Sequence, residues 1–485
     1  MIHLKRAEWF SNIRTDVLAG LVVGLALIPE SIAFSAIAGV DPQVGLYASF
    51  CIAVTIAFMG GRPAMISAAT GAMALLMITL VKTHGLQYLL AATVLTGVIQ
   101  IVAGYCKVAR LMRFVSQSVV YGFVNALAIL IFVAQIPEIK QMDPVAWGFM
   151  LLGLALIYTF PHLPKIGKLI PSPLVCIIVI SCLAWFFHAD LRTVSDLGSL
   201  PQTLPIFLLP DIPLNLETLL IILPYALTLA TVGLLETMMT TTIVNDMTET
   251  EADRHVECRG QGYANIVSGF MGGMAGCAMI GQSVINVSSG ARTRLSTLVA
   301  GVFLLCLVVF FKSWLAYIPM AALVAIMIMV AFTTFNWSSL TQIRNKPLAS
   351  NIVMLTTIVV VLATHNLALG VFVGVLCSAI FLAKKLESAV SVEKIDVTTT
   401  DVIYKIRGQI FFSSAEKMYS AFDFNQPHLQ KVTLDLEHAH VWDVTAIGMF
   451  DQILEKFAKH GISTHVIGLN EQSHALFTQH SQRHS

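Results

Sequence analysis

Two carboxylates lie where a carboxylate is costly. Glu30 falls in the apolar run "GLALIPESIAFS" and Glu236 in "TVGLLETMMTTTIV". Near mid-bilayer a charged side chain costs about 2.5–3.5 kcal/mol, so such residues usually mark ion pathways or proton relays. Glu30 precedes Thr70 by 40 residues, and Glu236 precedes Gln282 by 46. Each carboxylate run is followed by one full apolar span and then by a short stretch rich in small residues. These stretches are "GGRPAMISAATGAMALL" from Gly60 and "MGGMAGCAMIGQSVINVSSG" from Met271. A lipid-facing helix gains nothing from so much Gly, and irregular backbone at membrane depth survives only when buried in protein. Two interrupted helices would each offer an N-terminus with unpaired N–H groups and a positive dipole end. An anion could bind there without a buried Lys or Arg, and small side chains would let two backbones share it. Taken alone, a Gly/Ala stretch usually means tight helix packing; the matched pair is what points to a site. Pro29 kinks the helix beside Glu30.

The rest of the chain must position these groups in lipid. It has 485 residues, 56% hydrophobic and only 12% charged, with mean hydropathy +0.78. A soluble protein would carry about 25% charged residues. The net charge of +1 gives no nucleic-acid footprint. The eight cysteines are scattered without a CxxC pair, so neither a disulfide framework nor a metal site is expected. The first apolar run is long enough to span and reads as an uncleaved helix. Helices are predicted near 17–38, 43–59, 70–82, 86–106, 115–135, 145–160, 173–188, 217–241, 259–271, 282–290, 295–311, 318–334, 348–364 and 367–384. Those at 70–82 and 282–290 are too short to cross alone, so an extended segment must complete each crossing. With the N-terminus inside, Lys5, Arg6, Arg14, Arg62, Lys107, Arg110, Arg113, Lys165, Lys168, Arg254, Arg259, Arg292, Arg294, Arg344, Lys346, Lys384 and Lys385 fall on the cytoplasmic side. Lys82, Lys140, Arg192 and Lys312 fall opposite, an asymmetry that supports an even count with both termini cytoplasmic. Seven spans followed by seven more put the two halves in inverted orientation.

The predicted layout is a cytoplasmic segment over 1–15, a transmembrane domain over 16–387, a soluble domain over 388–475 and a flexible tail over 476–485. Beyond Leu386, "VSVEKIDVTTTDVIYKIRGQIFF", "KVTLDLEHAHVWD" and "STHVIGL" read as strands, and "TAIGMFDQILEKFAKHG" as an amphipathic helix. That pattern indicates a small cytoplasmic α/β domain. Eight of the fourteen histidines lie here, including His438 and His440, but sequence cannot bring them to one metal. No nucleophile elbow, phosphate loop or HExxH motif appears, so no enzyme is indicated and no cofactor is implied.

At these residues the sequence resembles the SulP family of anion transporters: sulfate permeases, bicarbonate transporters and sulfate/chloride/bicarbonate exchangers. The resemblance rests on "LAGLVVGLALIPESIAFSAIAGVDPQVGLYASF", on "SAATGAM", and on "RGQGYANIVSGFMGGMAGCAMIGQSVINVSSGARTRLSTLVAGV". The C-terminal part resembles the STAS domain carried by that family. The resemblance implies fourteen transmembrane segments as 7+7 inverted repeats, divided into a core (spans 1–4 and 8–11) and a gate (spans 5–7 and 12–14). It implies elevator-type movement, a homodimer, and a substrate site between the third and tenth helix N-termini. By motif position that site would include Ala68, Ala69, Thr70, Ala278, Met279, Ile280 and Gln282, lined by Glu30, with Glu30, Glu236 and Thr240 as ion-coupling residues.

Sodium-coupled bicarbonate members carry Asp on the eighth helix and Gly-Ala-Thr in the tenth segment; here Glu236 and Ala278–Met279–Ile280 stand there. Losing hydroxyl ligands argues against sodium. Many relatives have Arg where Gln282 stands, so binding would lean on dipoles and on protonation of Glu30 or Glu236. In "LDLEHAHVWDVTAIGMF" Thr445 falls at the phosphorylatable position of related STAS domains, with Asp443 two before it. Such a phosphate would switch a cytoplasmic partner; the alternative is that Asp443 or Thr445 simply caps the helix. The reading is a secondary transporter of sulfate, bicarbonate, chloride or dicarboxylate in a bacterial inner (plasma) membrane, multi-pass, with a proton as the coupling ion. The alternatives are a nucleobase-type permease of the same fold and a non-transporting sensor or scaffold that signals through the STAS domain.

Overall fold

The computed structural model describes residues 6–163, 171–201, 203–213, 215–426 and 428–481. The placements expected for Lys5, Lys165, Lys168 and the last four residues lie outside these. The chain forms two compact units, Met1–Val375 and Leu376–Ser485.

In the first unit, the longer helices are α1 (Ile13–Ala38), α2 (Pro42–Met59), α3 (Gly71–His84), α4 (Leu86–Tyr105), α5 (Gln117–Gln141), α6 (Pro144–Thr159) and α7 (Ser172–Phe186). They continue as α8 (Leu216–Thr248), α9 (Arg254–Phe270), α10 (Ile280–Ser288), α11 (Arg294–Phe310), α12 (Met320–Thr334), α13 (Leu348–Thr364) and α14 (Leu367–Ser388), which runs on into the second unit. Among the described residues, seven helices have the length and apolarity to cross a membrane. Five further apolar helices are shorter, α3 among them.

Strand β1 (Ser67–Ala69) precedes α3, and β2 (Gly276–Ala278) precedes α10. Each half therefore repeats one order: a carboxylate-bearing helix, a second helix, a three-residue strand, a short helix and another helix. Extensive helix packing falls into two sets. In one, α1 lies against α11 and α2, while α9 lies against α4 and α2; in the other, α5 lies against α13 and α12, and α6 against α12 and α7. The contact of α4 with α9 is backbone on backbone. A Cβ on Gly97 would come within 2.4 Å of the Gly262 carbonyl oxygen, and one on Gly262 within 2.5 Å of that of Gly97. Small residues are what permit such an approach.

The second unit holds a four-stranded sheet in the order β3 (Ser391–Asp396), β4 (Asp401–Ile410), β5 (Lys431–Val441), β6 (Ser463–Ile467). β3 pairs antiparallel with β4, while β4–β5 and β5–β6 are parallel. Alternate residues Val402, Tyr404 and Ile406 point into its core. Against them α15 (Val444–Lys459) buries Ala446, Ile447, Phe450, Ile453, Leu454 and Phe457, the spacing of one helical face. The tail expected from residue 476 is corrected here. α16 (Glu471–His480) continues through that boundary, and Phe477 is fully buried against Phe450 at a ring distance of 5.3 Å.

Candidate functional site

The two short strands meet as an antiparallel ladder, with Ser67 opposite Ala278, Ala68 opposite Cys277 and Ala69 opposite Gly276. Only a residue without a side chain fits at the end of that ladder, since a Cβ on Gly276 would sit 2.0 Å from the Ala68 carbonyl oxygen. The ladder continues one bond further, from Met279 N–H to the Ile66 carbonyl at 2.8 Å. Polar side chains hold it from behind. Gln261 and Asn265 amides donate to the Gly276 carbonyl at 3.0 and 3.1 Å, and Gly276 N–H donates to Asn265 Oδ1 at 2.9 Å. Asn265 also donates to Gln100 on α4 at 2.8 Å. On the other side, Ile66 N–H donates to Ser283 Oγ, and Asn286 donates to the Ala64 carbonyl. The two halves are thus bound together by hydrogen bonds deep inside the protein, the only place such backbone is tolerated.

From this ladder α3 and α10 begin, and both first turns line one cavity of about 1110 Å³. Thr70 caps α3 through its hydroxyl, which accepts from Met73 N–H at 3.4 Å. Met279 caps α10 without any side-chain bond, so the N–H groups of Ile280, Gly281 and Gln282 have no partner within the helix. Glu30 and Glu236, 8% and 9% exposed, lie on the same wall. Gln282 Nε2 donates to Glu30 Oε1 at 2.6 Å. The Cys277 thiol donates to Glu236 Oε2 at 2.9 Å and lies 3.2 Å from Thr70 Oγ1. The remaining charged groups on the wall, among the described residues, are Asp246 and Arg254.

The structure therefore brings Glu30, Thr70, Glu236, Met279, Ile280 and Gln282 to one cavity. Ala68, Ala69 and Ala278 are fully buried in the ladder behind it rather than on its wall. Thr240 is also set back; its hydroxyl donates to the Glu236 carbonyl at 2.8 Å and reaches the Ala278 carbonyl at 3.5 Å, tying α8 to β2. Sequence reasoning missed Cys277, whose thiol links Thr70 of one half to Glu236 of the other. It also missed Thr237, which accepts from Ala278 N–H, and the Gln100–Asn265–Gln261 cluster. The one available signal was a polar residue recurring on the buried face of α9.

In the second unit Asp443 caps α15: Oδ1 accepts from Ala446 N–H at 2.8 Å and Oδ2 from Phe412 N–H at 2.7 Å. Thr445 is exposed on the first turn of that helix.

Comparison with known proteins agrees with this architecture. The chain matches the sulfate permease family over residues 13–146 and 138–357, and the STAS domain over 390–483. It is 52% identical over 474 residues, 98% of each chain, to the Bacillus subtilis (strain 168) protein named "Putative sulfate transporter YbaR". It is 27% identical to the bicarbonate transporter BicA of Picosynechococcus sp., covering 82% of this chain and 75% of that one. The solved inward-facing structure of the murine Solute Carrier 26 family member A9 anion transporter superposes with a TM-score of 0.82 at 16% identity, covering 97% of this chain and 88% of that one. That likeness shows a shared fold. This is a multi-pass membrane protein of a transporter family, not an enzyme, and the chain belongs to the sulfate permease (SulP) family and carries a C-terminal STAS domain.

Proposed function

We propose that this protein is a secondary transporter of a small anion, sulfate before bicarbonate, chloride or a dicarboxylate, coupled to protons rather than sodium. The observation that carries the reading is the pair of helix N-termini, α3 and α10, opening onto one cavity lined by Glu30 and Glu236. Unpaired N–H groups and dipole ends suit an anion. Ala278, Met279 and Ile280 bring no side-chain oxygen, and the Thr240 hydroxyl is spent on backbone carbonyls, a poor donor set for a hard cation. The repeated element order in the two halves and the antiparallel meeting of their strands support fourteen spans in two inverted repeats. The two helix sets support a core that carries the site past a gate. Both termini are cytoplasmic in this reading, the membrane is a bacterial plasma membrane, the protein works as a homodimer, and the STAS domain offers its surface to a cytoplasmic partner.

Glu30 and Glu236 supply the proton sites. In proteoliposomes with an imposed inward proton gradient, Glu236→Gln lowers gradient-driven sulfate uptake at least about tenfold, the effect of removing one obligatory titrating group. Unchanged proton-driven uptake in that variant overturns the coupling assignment.

A further inference from the structure

We propose that Gln282 reports the protonation of Glu30 to the anion by turning its side-chain amide end for end, so that the anion site is complete only when Glu30 holds a proton. The inference rests on the transport reading above and deepens it. An ionised carboxylate only accepts hydrogen bonds, so Gln282 must offer it the NH2 end. That is the arrangement observed, with Nε2 donating to Glu30 Oε1 at 2.6 Å. The consequence lies on the other end of the amide. Gln282 is 4% exposed and lines the cavity, and its Oε1 is buried without a hydrogen-bond partner. A buried acceptor left unpaired is costly, and Gln282 is the third residue of α10, in the same first turn as Ile280 and Gly281, whose N–H groups would meet an anion. In this state the amide NH2 group is committed to Glu30.

A proton on Glu30 reverses the geometry. The carboxyl becomes a donor, its O–H meets Oε1 after a half-turn of the amide, and the NH2 group faces the cavity. The proton comes from water, joins one carboxyl oxygen, and returns to water when the anion leaves; no other covalent bond changes. The unpaired oxygen finds its partner, and the anion gains a donor. One proton and one anion therefore favour the same state, the condition for coupling two ligands.

Other ionisable groups are few. The cavity wall adds Glu236 and Asp246 from α8, Arg254 from α9 and Tyr121 from α5. Of the elements packed on α1, α2 carries Tyr47 and Cys51, α3 carries Lys82 and His84 in its last turn, α7 carries Cys176 and Cys182, and α11 carries Cys306 and Arg294. Arg294 is engaged by Glu8 and by the Ala57 and Gly60 carbonyls. β1, α10 and α12 carry none.

The test measures anion binding by thermal stabilisation of the purified full-length protein, with sulfate, chloride and succinate as probes, at about pH 6 and about pH 8. For any probe that stabilises the wild type, apparent affinity is at least about tenfold tighter at the lower pH, as one linked proton requires. In Glu30→Gln, a permanent mimic of the protonated carboxyl, the two values agree within about twofold. Gln282→Lys, whose ammonium can donate to Glu30 and to the anion at once, also brings them within about twofold. A wild type that binds equally at both values, or either folded variant keeping the tenfold difference, overturns the inference while leaving anion transport intact. A wild type stabilised by no probe at either pH overturns the inference, which needs an anion bound at the site, while the transport reading stands or falls by uptake.

Discussion

The crossing of the two strands makes a sharp demand on one glycine and none on another five residues along. At Gly276 an added Cβ would lie 2.0 Å from the Ala68 carbonyl oxygen, and 2.7 Å from both the Ala68 carbonyl carbon and Ile52 Cδ1. Ordinary contact begins at 3.4 Å, so the strands must separate by 1.4 Å. That would break ladder bonds and the Asn265 contacts, which now span 2.8–3.1 Å. Losing two such bonds at about 1 kcal/mol each, and overpacking at about 1–3 kcal/mol, puts the cost of Gly276→Ala at about 3–5 kcal/mol. At Gly281 nothing lies within 4 Å of a Cβ, and the residue sits in the first turn of α10. Gly281→Ala should stabilise by up to about 1 kcal/mol through helix propensity. Thermal unfolding of the two purified variants beside the wild type, followed by intrinsic fluorescence, reads the contrast. Gly276→Ala should unfold well below the wild type and Gly281→Ala at or above it. Equal behaviour of the two, or the reverse order, would refute the close approach of β1 and β2.

Three other outcomes follow from the same geometry. Asn265→Leu removes the side chain that brackets Gly276 on both its N–H and its carbonyl; a loss of about 2–4 kcal/mol is expected, against little change if the ladder holds itself. Asp443→Ala should cost about 1–2 kcal/mol in the STAS unfolding transition, since Ala446 and Phe412 both lose an acceptor, whereas Asp443→Asn should keep most of the cap; equal losses in both would contradict the capping assignment. Burial pushes the Tyr404 phenol above its usual range, against the smaller opposing effect of the Asp423 N–H it accepts. The folded state then keeps a proton that the unfolded chain releases near pH 10, so stability is intact below about pH 10 and falls above it. Tyr404→Phe should flatten that fall; an unchanged slope in denaturant titrations would rule the phenol out.

Much of the membrane unit was legible because bilayer physics writes itself into composition. The helix expected over 348–364 is Leu348–Thr364, and the extended segment expected to complete the crossing of the short helix near 282–290 contains Gly276–Ala278. Gly and Ala concentrate there because two backbones must touch. Long-range partners left no such imprint. Cys277 contacts Thr70, 207 residues away, and Asn265 contacts Gln100, 165 residues away, so neither pairing has a local pattern. Ala68, Ala69 and Ala278 were expected at the site by motif position, yet motif position does not say which face of a strand looks into a cavity. At the C-terminus "EQSHALFTQH" is too polar and too short to declare its amphipathic face, and only the buried Phe477 reveals that it packs.

In the proposed mechanism, paired helix N-termini and two buried carboxylates move an anion with a proton. The most direct measurement is uptake by the purified protein in proteoliposomes across a panel of sulfate, bicarbonate, chloride and dicarboxylates, with proton and sodium gradients imposed separately. Saturable uptake of at least one of these anions, driven by the proton gradient and indifferent to sodium, is expected. Movement of no anion under any gradient, or uptake driven by sodium alone, would contradict it.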